Sequence, residues 1–437
     1  MLSELQGQEA ALAADAGLAA AWLELLLHAA QLPAVLERVE RVLAQHPSSA
    51  QVVTRACAAL IRAAVLIAPD EMQPLDGAGQ RAAGAAGRCI AELERSGRHE
   101  PLLGYLHMNR ANALRLLRAY DDALAAYRAA LALEPERGAW WFNLGLLHKA
   151  KGEWAEALEV TQRARTLLRD DKPVLWNIAI AATALGRGHD AAEALRKLGL
   201  PAEIAASGMP FVDGLPPLQV RVASVGSGLG PAGSAVPDRS VGFELLWVTP
   251  ISPVHGVVSS AAQRDAAVDY GDVVLWDAIP VGVGEHAGKP VPRFPLLAIL
   301  RRGDERRFRY VALQQAAGDV EALAQDLPAD ARLFVHHERV EMLCARCASG
   351  EHMHKHKHEP PEQHRLAYGK LIVPGGVDLP AFRRDLDAAL RKRPQIQLVV
   401  PGLLEAIGDT EAAGKAHQMW RGVERTGLKL EAGGKPK

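Results

Sequence analysis

Two stretches decide the reading of this chain: AYDDALAAYRAALALEP (119–135) and GEWAEALEVTQRARTLL (152–168). Laid over one another they place Ala123 on Ala157, Ala130 on Ala164 and Tyr120 on Trp154, a constant offset of 34 residues. One further step of 34 brings Ala191 and Leu198 into line, and upstream Asn109, Asn143 and Asn177 keep the same interval. Apolar residues recur with helical spacing throughout residues 1–200. A fixed period of this length marks a structural unit that cannot bury its own apolar face and must stack on its neighbours. Small side chains at the repeated positions have a mechanical meaning, since they let paired helices approach closely where they cross.

Outward from this core the pattern supplies Trp141, Leu144, Gly145, Gly152, Ala157 and Ala164 in one unit. The unit before it has Ala111, Ala123, Tyr127, Ala130 and Pro135, and the unit after it Ile178, Ala179, Gly186 and Ala191. This combination resembles the tetratricopeptide repeat (TPR). The clearest repeats are 104–137, 138–171 and 172–200. A weaker match runs upstream, where Val35, Val39, Val42 and Pro47 fit a second helix with Trp22 and Leu23 on its partner. Another helix pair is expected within 50–100, interrupted near Pro69–Gly79, for four or five pairs in all. The resemblance implies a helical solenoid over residues 1–200 whose first helices line a groove for a peptide or protein partner. Some members of the family hold a terminal carboxylate there with Asn plus Lys or Arg. Asn112 and Asn143 resemble the Asn part of that clamp, while Met108, Pro173 and Asn177 stand where the basic part would be sought. Asn109, Asn143 and Asn177 share one position on three first helices and are expected to form a ladder in the groove. The alternative is that these amides satisfy hydrogen bonds between repeats.

The rest of the chain has a different texture. Residues 201–240 hold six Gly and six Pro and read as a linker, interrupted by one short strand near Leu218–Val225. Its VGSGLGPAG segment, with Gly226, Gly228, Gly230 and Gly233, imitates a dinucleotide loop, but no helix can follow Pro231 to receive a pyrophosphate. Residues 241–437 are expected to form an α+β domain with a mixed sheet and helices on one face. Strands are expected at 242–248, 272–277, 294–301, 307–314, 332–338, 365–373 and 395–400, with helices at 320–327 and 379–391. A helical hairpin around LLEAIGDTEAAGKAHQMWRGVER faintly echoes one more repeat.

The segment CARCASGEHMHKHKHEPPEQH (344–364) carries the metal chemistry. The two thiolates of Cys344-x-x-Cys347 lie on one side of a tight turn and supply half of a tetrahedral Zn²⁺ site. His352 and His354, or His364 beyond the Pro360-Pro361 turn, are the candidates to complete it. In an extended segment the alternating imidazoles share one side, about 7 Å apart, although Lys355 and Lys357 oppose a high-capacity cation store. A structural zinc site competes with a regulatory or pH-responsive His patch and with a solvated low-complexity loop. A thioredoxin-like role is disfavoured because Ala348-Ser-Gly, not a helix, follows the second Cys.

Composition excludes other classes. Lys+Arg is 50 against Asp+Glu 51, which opposes a dedicated nucleic-acid binder. Four cysteines in 437 residues cannot form a disulfide framework. The start MLSELQGQEA has no secretion-signal pattern, and Glu24 and His28 interrupt the most apolar run, so a cytoplasmic protein without a membrane span is expected. No nucleophile elbow, phosphate loop or HExxH motif occurs; His255, Asp272 and Asp277 imitate acid/base groups but read as loop and turn residues. The chain is therefore read as an interaction scaffold. The alternatives are a metal-dependent enzyme in the second half, with the solenoid as targeting module, and a metal-trafficking protein using the His run.

Overall fold

The computed structural model describes residues 13–28, 32–66, 76–169, 171–223, 243–263, 266–328, 330–343 and 362–431. Within these residues the chain divides into two compact units, one of Met1–Leu245, Thr249–Gly256 and Val274–Leu300, the other of Leu246–Val248, Val257–Val273 and Arg301–Lys437.

The first unit opens with helices in consecutive pairs: α1 (Ala16–His28) and α2 (Leu32–Gln45), α3 (Ala50–Leu66) and α4 (Asp76–Ser96), α5 (Leu103–Leu116) and α6 (Tyr120–Leu133), α7 (Gly138–Lys151) and α8 (Trp154–Leu168), α9 (Lys172–Ala184) and α10 (Gly188–Lys197). The last three pairs are the 34-residue units. Ala123, Ala157 and Ala191 are each the fourth residue of the second helix, each nearly or fully buried. Their amides bond the carbonyls of Ala119, Glu153 and Arg187 at 2.9, 2.9 and 3.1 Å, so the three sites share one local geometry. On the first helices Ala111, Gly145 and Ala179 occupy the matching crossing position. A Cβ on Gly145 would stand 2.5 Å from Thr161 Oγ1, which itself donates to the Ala157 carbonyl at 2.6 Å. Hydrogen would be the only substituent that fits there without movement. Turns between the helices use positive φ at Gly152 (72°) and Gly186 (69°), where a glycine costs least. Asp171 caps α9 through Val174 N, with Pro173 in the first turn.

Three short strands follow: β1 (Glu203–Ile204), β2 (Pro210–Phe211) and β3 (Leu218–Ala223). Residues 224–242, with the four glycines of the imitation dinucleotide loop, lie outside the described residues. Then come β4 (Phe243–Ser252), β5 (His255–Val258), β6 (Val273–Trp276), β7 (Gly282–His286) and β8 (Lys289–Arg301). They form a sheet of order β3-β4-β5-β6-β8-β7, and an additional β3–β8 pairing closes five of its strands on themselves. It is mixed, since β3 runs parallel to β8 and β7 antiparallel. β8 starts five residues before the expected strand, at Lys289 rather than Phe294. The added residues include Pro290 and Pro292, which pair with Glu285 and Val283 of β7 at the end of the sheet.

The second unit is built on a four-stranded antiparallel sheet of order β10-β11-β9-β12, from β9 (Arg306–Gln314), β10 (Arg332–Leu343), β11 (Glu362–Val373) and β12 (Gln397–Val399). Its helices are α11 (Asp319–Leu323), α12 (Leu379–Lys392), α13 (Pro401–Ala406) and α14 (Thr410–Glu431). Phe308, Tyr310 and Leu371 face Val320, Phe382, Leu386 and Leu403 of α11, α12 and α13. Val311, Leu313 and Leu366 on the opposite face meet Ala416, Met419 and Trp420 of α14. Helices thus cover both faces, not one as the strand–helix order suggests. The reason is the alternation along β9 and β11, which is apolar on both sides and leaves each side to be covered. The C-terminal helical hairpin packs on this sheet.

Candidate functional site

The groove positions lie on α5, α7 and α9. Asn109, Asn143 and Asn177 recur on these three first helices, all half-buried. Asn109 Nδ2 donates to the Thr54 carbonyl at 3.0 Å, tying α5 to α3. Asn177 Nδ2 donates to the Pro173 carbonyl of its own helix at 2.8 Å, and its Oδ1 is buried without a hydrogen-bond partner. Among the described residues Asn143 Nδ2 meets the Met108 sulfur as acceptor, at 3.7 Å, a weak one. Asn112 Oδ1 accepts the Tyr127 hydroxyl at 2.6 Å, linking the two helices of its repeat; burial raises the Tyr127 pKa. Asn109, Asn143 and Asn177 share one repeat position, with Asn112 a turn further along α5, and the four amides share no hydrogen bond with one another among these contacts. Lys149, the basic side chain on the groove side of α7, is paired with Asp277 at 2.8 Å.

Cys344, Cys347, His352 and His354 lie outside the described residues. His364 is the third residue of β11, with its backbone opposite Glu341. Among the described residues no group of three or more His, Cys, Asp or Glu could hold a metal ion. The other two cysteines, Cys57 and Cys89, are buried free thiols on α3 and α4. Burial pushes the Cys57 thiol up to about 12, so it is inert as a nucleophile at neutral pH.

His255 and Ser252 form a hydrogen-bonded pair, Nδ1 to Oγ at 2.7 Å, but both are essentially inaccessible at 1% and 0% exposure. The expected loop histidine is thus the buried first residue of β5, and Ser252 the last residue of β4. Asp272 is equally buried and spans the backbone amide of Gly303 and the guanidiniums of Arg302 and Arg307. Sequence reasoning missed a second buried group. Lys370, in the middle of β11, is 5% exposed and pairs with Asp269 at 2.5 Å. Its neighbour across the sheet is β10, whose register shifts between Val335 and His337. The bulged residue is His336, with Nε2 buried and unpartnered; burial lowers its pKa, and Lys370 lowers it further. The one sequence signal was a lysine inside the apolar run LAYGKLIV; its partner lies 101 residues away and left no mark.

Against this geometry, residues 114–179 match the family model described as tetratricopeptide repeat. Residues 114–179 carry tetratricopeptide repeats. The match lies wholly within the first half of the chain. Among curated proteins, the chain is 31% identical over 78 residues to the Protein O-mannosyl-transferase TMTC1 of Homo sapiens, covering 18% of this chain and 9% of that protein. The Mus musculus counterpart is 27% identical over 97 residues, covering 21% and 10%. The chain thus spans about a tenth of the length of the curated relatives it matches. Among solved structures, it overlays MamA with 13% identity, covering 40% of this chain and 91% of that one, at a TM-score of 0.31. It overlays YrrB, described as a TPR protein with an unusual peptide-binding site, with 17% identity, 45% and 89% coverage and a TM-score of 0.30. No helix among the described residues is long and apolar enough to cross a membrane.

Burial holds the His255 pKa at about 4, below the ordinary 6.5. Between these values the unfolded chain binds a proton that the folded chain refuses, so stability falls as pH drops through this window. The expected contribution is on the order of 3 kcal/mol, read from urea midpoints between pH 7 and pH 4. His255→Gln should remove that part of the slope; an unchanged slope would contradict it.

Proposed function

We propose that this chain is a protein-interaction scaffold whose repeat groove binds a peptide or protein partner over α5 and α7. The observation that carries the reading is the unspent hydrogen-bonding capacity of Asn143, a half-buried amide whose donor meets, among the described residues, nothing better than a thioether. Partly buried Phe142 stands next to it. An extended segment laid across these helices would give Asn143 a backbone carbonyl and Phe142 an apolar contact. Asn109 and Asn112 support the groove wall through Thr54 and Tyr127, and Asn177 through its own helix. A carboxylate clamp is not favoured, because Met108, Pro173 and Asn177 carry no charge and Lys149 is spent on Asp277. In affinity capture with the full chain, Phe142→Ala/Asn143→Ala should lose specific partners by at least about tenfold while circular dichroism stays unchanged. Retention of every captured protein would remove the groove from the account.

We also propose that Cys344 and Cys347 hold one Zn²⁺, completed by His352 and His354 or by His364. The support is the register of β10 and β11. The two strands pair as far as Leu343 and Glu362, so the ends of the 344–361 segment start from neighbouring strands, with His364 close to that base. A metal there would staple the hairpin end. Protein purified without a His tag should contain about one Zn²⁺ per chain, and Cys344→Ser should lose it. Metal at trace levels only, with Cys344→Ser as stable as the parent, would contradict the site.

A further inference from the structure

We propose that the chain supplies its own ligand to the last repeat: Val254 and the segment 274–300 occupy the groove face of α9, and the Lys149–Asp277 ion pair latches them there. Trp176, Ile180 and Ala184 lie at i, i+4 and i+8 and form one stripe on α9. In an open groove such a stripe would meet solvent. Here Ile180 is fully buried together with Val254 and Leu275, and Leu297 and Ala298 pack alongside. α9 itself reports the burial in its sequence, KPVLWNIAIAATA, which is apolar almost all round. A helix of that kind is covered on every face.

The latch is a largely buried ion pair. Lys149 and Asp277 side chains are 12% and 19% exposed and 2.8 Å apart. The Asp277 amide donates to the Pro295 carbonyl at 3.2 Å, which fixes the acid on the strands. Removing either charge would strand the other in a low-dielectric contact. The same unit also closes the stacking face of α10. A Cβ on Gly188 would stand 1.8 Å from the Gly208 carbonyl, and Ala202 and Val212 are buried against Ala191, Ala192 and Leu195. The β1–β2 hairpin therefore lies where the first helix of a further repeat would stack. The last repeat is closed on its groove and on its end, and an outside partner is left with the stretch over α5 and α7.

This inference shares the groove with the function proposed above, but its test needs no partner. Hydrogen exchange of the full chain should show the amides of Lys172–Ala184 about tenfold faster in Asp277→Lys than in the parent. Fluorescence of the added dye anilinonaphthalene sulfonate should rise with it, and exchange in α3 and α4 should stay unchanged. The swap Lys149→Glu/Asp277→Lys should restore parental exchange within about twofold. Leu275→Asp should expose α9 in the same way without touching the ion pair. Parental exchange of α9 in both Asp277→Lys and Leu275→Asp, with the fold intact by circular dichroism, would overturn the proposal. If Asp277→Lys unfolds the chain, the swap decides: recovery supports the latch and continued unfolding contradicts it. Loss of partner capture in Phe142→Ala/Asn143→Ala bears on the open stretch alone, so either reading can fail without the other.

Discussion

Close approach of paired helices at a small residue is the constraint from which the rest of the first unit follows. Gly145 sits against Thr161, with Ala111 and Ala179 at the matching positions one repeat away on either side. Larger groups there would push the two helices of a pair apart, and the next pair could not nest. Because the approach recurs every 34 residues, the first helices come into register, and the amides of Asn109, Asn143 and Asn177 line up although they bond to different partners. The groove is thus a by-product of packing, and its chemistry depends on what each groove position is left to bond with.

That division explains what could be read from sequence. The helix pairs were legible because their determinants are local and periodic: small residues at fixed spacing, Gly152 and Gly186 in left-handed turns, and Asp171 before Pro173 at a helix start. In the second half, β9, β10, β11 and α12 were legible for the same reason, through alternation and the Asp378 cap. The short strands β5 and β7 were not, since four or five residues flanked by Gly and Pro carry no period of their own. The start of β8 at Lys289 was hidden too, because Pro290 and Pro292 are residues that strands rarely hold.

The site was less legible than the fold. Residue spacing could place Asn109, Asn143 and Asn177 at one repeated position, but not choose between Thr54, Tyr127 and a ligand as partners of the groove amides, because those contacts join different helices. Nor could it show that Asp277 would take Lys149, or Asp269 take Lys370, across 128 and 101 residues of chain. Such pairs become visible only when distant strands and helices are brought together. They carry the strongest consequences, since a buried charge cannot lose its partner cheaply. The β-strands of the first unit are therefore part of the repeat architecture, closing one end of it.

The most direct test of the central claim is a series of three single substitutions, Ala123→Leu, Ala157→Leu and Ala191→Leu, each followed by urea unfolding. Equivalent places in successive hairpins should suffer alike, with losses of about 1–3 kcal/mol each. If any one of the three unfolded at the parental urea concentration, the positions would not be equivalent and the repeat account of this chain would fail.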